Sequence, residues 1–234
     1  MTLARRLLTA STAAAAWLAL ALVPVRVLAQ GAPSNGCGPL GPPLVTIGPY
    51  DYQTDRKMVT FIEGNHFQPQ VEALVGGVSG PVGAELNFML LHIPNHPRVL
   101  LALVRYGEKQ KWVPAPGLQF SYECYFDRAI RFRPDDPMVR MIYATYLNKF
   151  SRASEALKQL AYAADVAKED AFAHYNVGLI YLDMKQYELA AAEARKAEAL
   201  GFQRPELRER LRAAGKWREE AAADGSSGVE RSKP

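Results

Sequence analysis

Residues of matching size recur 34 positions apart along the second half of this chain. Ala144 lies 34 before Gly178, Ala156 before Ala190, and Ala163 before Ala197. Arg140/His174, Tyr143/Val177 and Leu147/Tyr181 share the offset, and Tyr122/Ala156, Phe126/Leu160, Ala129/Ala163 and Pro134/Lys168 extend it backwards. A period in this range marks stacked supersecondary units, each burying its apolar face on the next. Close helix packing explains the pattern. A small residue in a first helix (Ala144, Gly178) admits the second, and an Ala in the second (Ala156, Ala190) admits the first. A large residue (Leu147, Tyr181) fills the space between units.

Punctuation agrees with paired helices. Asn95-His96-Pro97 opens one helix that runs to about Tyr106, before Gly107. Leu118–Phe132 suggests another, and Pro134-Asp135-Asp136-Pro137 a break and a new start. Met138–Phe150, Ser154–Val166, Phe172–Met184 and Tyr187–Leu200 follow, with Gly201 placed to end the last. Pro205–Lys216 is an amphipathic closing helix whose Leu207, Leu211 and Ala214 face inward and whose arginines face water. The tail, 218–234, has Val229 as its one large apolar residue and is expected to be disordered.

The region before residue 95 is less regular. Residues 30–56 hold Pro39, Pro42, Pro43 and Pro49 among many glycines, a composition for an extended arm. Met58, Val59, Phe61 and Ile62 fit a short helix or a buried strand equally. Gln68–Val75 reads as a short helix with Pro69 in its first turn, VGGVSGPVGAE as loop, and Leu86–Ile93 as a buried apolar segment.

Asp170–Leu200 resembles the tetratricopeptide repeat, matching its pattern at Gly178, Tyr181, Tyr187, Ala190 and Ala197. The copy at Asp136–Ala167 is good. That at Asn95–Pro134 is degenerate, with KQKWVPAPG enlarging its turn. The resemblance implies an all-α helical hairpin array of about 2.5–3 repeats over residues 95–217, closed by a cap helix and preceded by an irregular arm and cap over 30–94. The mature chain also resembles exported bacterial proteins with a Cys-Gly-x-Leu and Gly-Pro-Tyr-Asp-Tyr stretch ahead of such repeats. Cys37-Gly38-Pro39-Leu40, Gly48–Tyr52, Glu63 with His66-Phe67, Cys124–Ala129 and Ala213–Trp217 carry that likeness. It implies an architecture and a disulfide, not an activity.

Residues 1–29 read as a secretory signal. Arg5 and Arg6 precede an uncharged run from Leu7 to Val25, and Val27-Leu28-Ala29 precedes a cut before Gln30. An uncleaved anchor is the alternative, since the run is nearly long enough to span a bilayer. The whole chain carries 28 basic and 24 acidic residues, a charge of +4. Its signal holds Arg5, Arg6 and Arg26 and no acid, so the mature chain falls to +1, which removes the case for nucleic acid. Export to a periplasmic or secreted location also favours oxidised cysteines. Cys37 and Cys124 are the only two, so one intramolecular disulfide or two free thiols are the choices.

The tetratricopeptide resemblance implies a concave face lined by the first helix of each repeat, taking a protein or peptide partner. Its positions are Met138, Met141, Thr145, Asn148 and Lys149, then Phe172, Tyr175, Asn176, Leu179, Leu182 and Asp183. Asn176 matches the family's carboxylate clamp, but Met141 and Thr145 depart from it, so capture of a peptide C-terminus is not expected. The arm filling this groove in cis is an alternative. Glu63, His66, His92 and His96 are the candidates for a metal or enzymatic site within residues 57–96. Pro94 keeps His92 and His96 off one helix, and His174 occupies a packing position. Phosphate loops, nucleophile elbows and dinucleotide fingerprints are absent from the sequence. The reading is a non-enzymatic binding module without a cofactor.

Overall fold

A computed structural model describes residues 36–40, 47–111 and 115–218. The segment expected to be a signal (1–29) and the tail from residue 219 lie outside them. The described residues form ten α-helices and no strand, and none of these helices is long and apolar enough to cross a membrane. In order they are α1 (Arg56–His66), α2 (Pro69–Glu72), α3 (Val82–His92), α4 (Pro97–Lys109), α5 (Tyr122–Phe132), α6 (Pro137–Lys149), α7 (Ala153–Ala167), α8 (Ala171–Asp183), α9 (Tyr187–Ala199) and α10 (Glu206–Ala213).

The fold is repeat-like. α6 packs on α7 and α8 on α9; α4, α6 and α8 contact one another in succession; α10 closes the end against α8 and α9. Small residues sit where helices approach. Ala144, Ala156, Ala163 and Ala190 are fully buried. A Cβ on Gly178 would stand 2.6 Å from Leu207 Cδ2 and 3.3 Å from the Ala190 carbonyl oxygen. Leu147, also fully buried, contributes about 2 kcal/mol by leaving water.

Helix starts follow local chemistry. Asp136 Oδ1 accepts from Met138 N at 2.9 Å and Val139 N at 3.3 Å. Asp170 Oδ1 accepts from Ala173 N at 3.0 Å, and Ser121 caps α5 through Cys124 N. That serine explains why α5 begins at Tyr122 rather than Leu118. Gly117 at φ +91° keeps the preceding segment out of helix. α10 is likewise shorter than the pattern predicts, ending ahead of Gly215 at φ +66°.

A second period emerges. α3 and α5 are both 11 residues and α4 and α6 both 13, each pair 40 positions apart. Their joining turns, Ile93–His96 and Arg133–Asp136, share a Pro-x-x-Pro signature with Pro97 and Pro137. Only α6/α8 and α7/α9 keep the 34 spacing. The extra length lies between α4 and α5.

The N-terminal region is more helical than an irregular cap over 30–94. Residues 56–92 hold α1, α2 and α3, so the strand option for Met58–Ile62 falls. Val82–Glu85 is the first turn of α3, not loop, and α2 stops at Glu72. The loop that remains before α3 closes on Glu85, a buried carboxylate. It accepts from Ser79 N at 2.7 Å, Val78 N at 3.0 Å and Ser79 Oγ at 3.1 Å, and pairs with His66 at 2.9 Å. Burial alone would push this carboxyl up, but these donors together hold it below the usual range.

Candidate functional site

A groove of about 350 Å³ opens between α4 and α6. Leu101 and Val104 give it an apolar floor; Arg98, Arg105, Lys149, Glu72, Glu108 and Thr145 surround it. Leu101 is 43% exposed, unusual for a leucine in a contact row. Charges bridge the rim. Arg98 Nε donates to Glu72 Oε1 at 3.0 Å, and Lys149 pairs with Glu108 across the two helices. Arg105 Nη2 donates to the Glu72 carbonyl at 3.3 Å. The Arg98 hydrogen bond holds the Glu72 carboxyl below its ordinary range.

Of the predicted face, Thr145 and Lys149 line this groove. Met141 is buried, Met138 half-buried and Asn148 exposed. On α8, Tyr175 is buried beside Phe202, with ring centroids 4.9 Å apart; Phe172 meets the same ring at 5.8 Å. Asn176 Nδ2 donates to the Phe172 carbonyl of its own helix at 2.7 Å. Leu179 is half-buried and Leu182 buried. Asp183 is exposed and pairs with Arg210 at 2.7 Å. The segment after α9 therefore covers part of the α8 face.

Sequence reasoning missed the α4 residues. Shifted by 40 instead of 34, Met138, Met141, Thr145 and Asn148 fall on Arg98, Leu101, Arg105 and Glu108. The repeated Pro-x-x-Pro spacing carried that signal.

Of Glu63, His66, His92 and His96, the structure brings Glu63 and His96 together and engages His66 and His92 with other partners. His96, fully buried, bonds Glu63 Oε1 through Nε2 at 2.8 Å and accepts from Val99 N at Nδ1. His66 bonds Glu85. His92 Nδ1 donates to the Phe88 carbonyl at 2.9 Å. The Phe88 ring stands between His66 and His92, at 3.9 and 4.1 Å. Among the described residues no group of three or more His, Cys, Asp or Glu could hold a metal ion. His174 joins Glu193 at 2.6 Å and the Lys168 carbonyl at 2.9 Å, a packing role.

His96 makes folding sensitive to pH. Burial pushes its imidazolium down to about 4, against the countervailing bond to Glu63. The folded state then stays unprotonated where the unfolded chain takes up a proton. Stability is full above the unfolded value near 6.5 and is lost as pH falls from there towards 4. The loss is expected to reach about 3 kcal/mol at most. Urea unfolding at pH 7.0 and 4.5 checks it; a His96→Gln variant should show a smaller difference than the parent.

Cys37 and Cys124 are joined in a disulfide across 87 positions, so the free-thiol alternative falls. Such a closure contributes about 4 kcal/mol in the chain-entropy account. The described arm lies on α5 and on two turns. Arg128 Nη1 donates to the Cys37 carbonyl at 3.2 Å and to that of Pro39; Arg131 Nη2 donates to that of Gly38 at 3.0 Å. Further on, Tyr50 N donates to the His92 carbonyl at 2.7 Å, and Asp51 pairs with Arg133. These contacts place the described arm away from the α4–α6 groove. A scan against protein-family models and a search of curated proteins match nothing to this chain.

Proposed function

We propose that this chain is an exported tetratricopeptide-type array that acts as a protein- or peptide-binding module or scaffold in the bacterial envelope. The signal-like first 29 residues, the 34-residue period and the oxidised cysteine pair support the exported, repeat reading. The observation that carries the binding reading is the α4–α6 groove, where a partly exposed Leu101 lies within a rim of paired charges. Such a site takes an extended segment by an apolar side chain and steers it by the rim. No comparable feature favours a metal or enzymatic site in residues 57–96, where Glu63 pairs with His96 while His66 and His92 are engaged elsewhere.

A photo-crosslinking residue at position 101, in cells, should yield a discrete protein adduct. The same residue at position 189, where Leu189 is 45% exposed on α9, should not. Identical patterns from both positions, or no adduct from either, would count against the groove.

A further inference from the structure

One face of α5 is built around peptide backbone. Cys124, Arg128 and Arg131 follow at a spacing that puts them on one side of the helix. Together they bind three consecutive residues of the arm. Cys124 holds Cys37 covalently, and the two guanidiniums take the carbonyls of Cys37, Gly38 and Pro39. Phe120 completes the socket. Its ring lies 4.7 Å from the Arg128 guanidinium, and 3.3 Å from where a Cβ on Gly38 would stand. Gly38 sits at φ +69°, which disfavours any other residue there. The segment is thus read through its backbone and one glycine.

What keeps it docked is unevenly shared. Arg128 is 1% exposed, so its guanidinium has given up hydration in docking on the Cys37 and Pro39 carbonyls. Gly38 and Leu40 are only half-buried and Pro39 is exposed, so the segment's side chains add little. The covalent bond to Cys124 adds to these contacts.

We propose that the Phe120–Cys124–Arg128–Arg131 face is a backbone-reading socket for a Cys-Gly-Pro segment, filled by the protein's own residues 37–39 and latched by the disulfide, so that a dithiol opens it. In the opening step the dithiol's two sulfurs close their own disulfide and lose two electrons and two protons. Cys37 and Cys124 each gain one hydrogen as thiols. The freed segment leaves, Arg128 rehydrates, and α5 offers Cys124 to a competing segment.

Two measurements test this. In the first, hydrogen exchange compares the oxidised protein with a Cys37→Ser/Cys124→Ser variant. Amides of residues 36, 37, 38 and 40 should exchange at least about tenfold faster in the variant, with α8 and α9 unchanged. Unchanged exchange at these amides overturns the latch. Loss of helical circular dichroism overturns it too, since the disulfide would then staple the whole fold. In the second, the Cys37→Ser chain, with Cys124 free, meets a peptide of residues 35–42 whose cysteine is activated as the thionitrobenzoate disulfide. Cys124 displaces thionitrobenzoate and joins the peptide. This should run about tenfold faster than with a peptide carrying Gly38→Ala. Equal rates overturn the socket.

Discussion

Asn95→Asp is expected to lower unfolding free energy by about 4 kcal/mol at pH 7. Asn95 is 1% exposed, in the turn between α3 and α4, and two buried carboxylates converge on it. Its Nδ2 donates to Asp51 Oδ1 at 3.1 Å and to Asp136 Oδ2 at 3.2 Å, while its Oδ1 accepts from Tyr52 N at 3.0 Å. Gln53 Nε2 adds a bond to Asp136 at 3.2 Å. One amide thus separates two acids, one from the arm and one capping α6. Burial pushes the Asp136 carboxyl up, the Asn95 bond opposes that, and Asp51 adds to it. An aspartate here removes both donated hydrogens and adds a third negative charge. The penalty should shrink at pH 4, where a proton can take the place of the lost donor. Urea unfolding followed by circular dichroism measures it; a loss under about 1 kcal/mol at pH 7 would mean that these bonds do not hold the arm.

Gly117→Ala should cost about as much, about 4 kcal/mol, and lower Tm by about 10 °C. Two terms add. The residue sits at φ +91°, which costs an alanine about 1–2 kcal/mol. Its Cβ would then stand 2.4 Å from Ala84 N and 2.9 Å from Ala84 Cα, both backbone of the first turn of α3. Gly83 faces the same loop at equal closeness, its added Cβ 2.4 Å from the Pro116 carbonyl oxygen. Loop and helix meet backbone to backbone, and neither can yield by rotating a side chain. Gly201 supplies the control. It has the same φ of +91° with nothing within 4 Å of an added Cβ. Gly201→Ala should therefore lose only the conformational part, and equal losses at both positions would remove the steric argument.

The helices from α4 to α9 were legible because proline, acidic caps and small residues at contact points leave marks in sequence. α3 left none. It is apolar almost all round, with Leu86, Met89, Leu90 and Leu91 all buried, so no period appears. Glu85 falls in what reads as loop, and His92 reads as a metal-site candidate in a buried apolar segment. Their partners, Ser79 and the Phe88 carbonyl, become visible only when the chain is folded. The groove was half legible. Thr145 and Lys149 followed from the tetratricopeptide resemblance, whereas Arg98, Leu101 and Arg105 belong to a 40-residue unit that a 34-residue comparison skips. The covering of Tyr175 by Phe202 depends on where the chain turns after α9, which no local pattern encodes.

The arm has one more consequence. A stack of helical repeats touches only its neighbours and can open from either end in steps. Here the described arm bonds to the end of α3 and the α3–α4 turn, to α5 and to Arg133, joining residues up to 93 positions apart. The units from α3 to α6 are thereby tied in parallel as well as in series, and should open as one cooperative block. α8, α9 and α10 lie beyond that tie and keep the stepwise freedom of an ordinary repeat end.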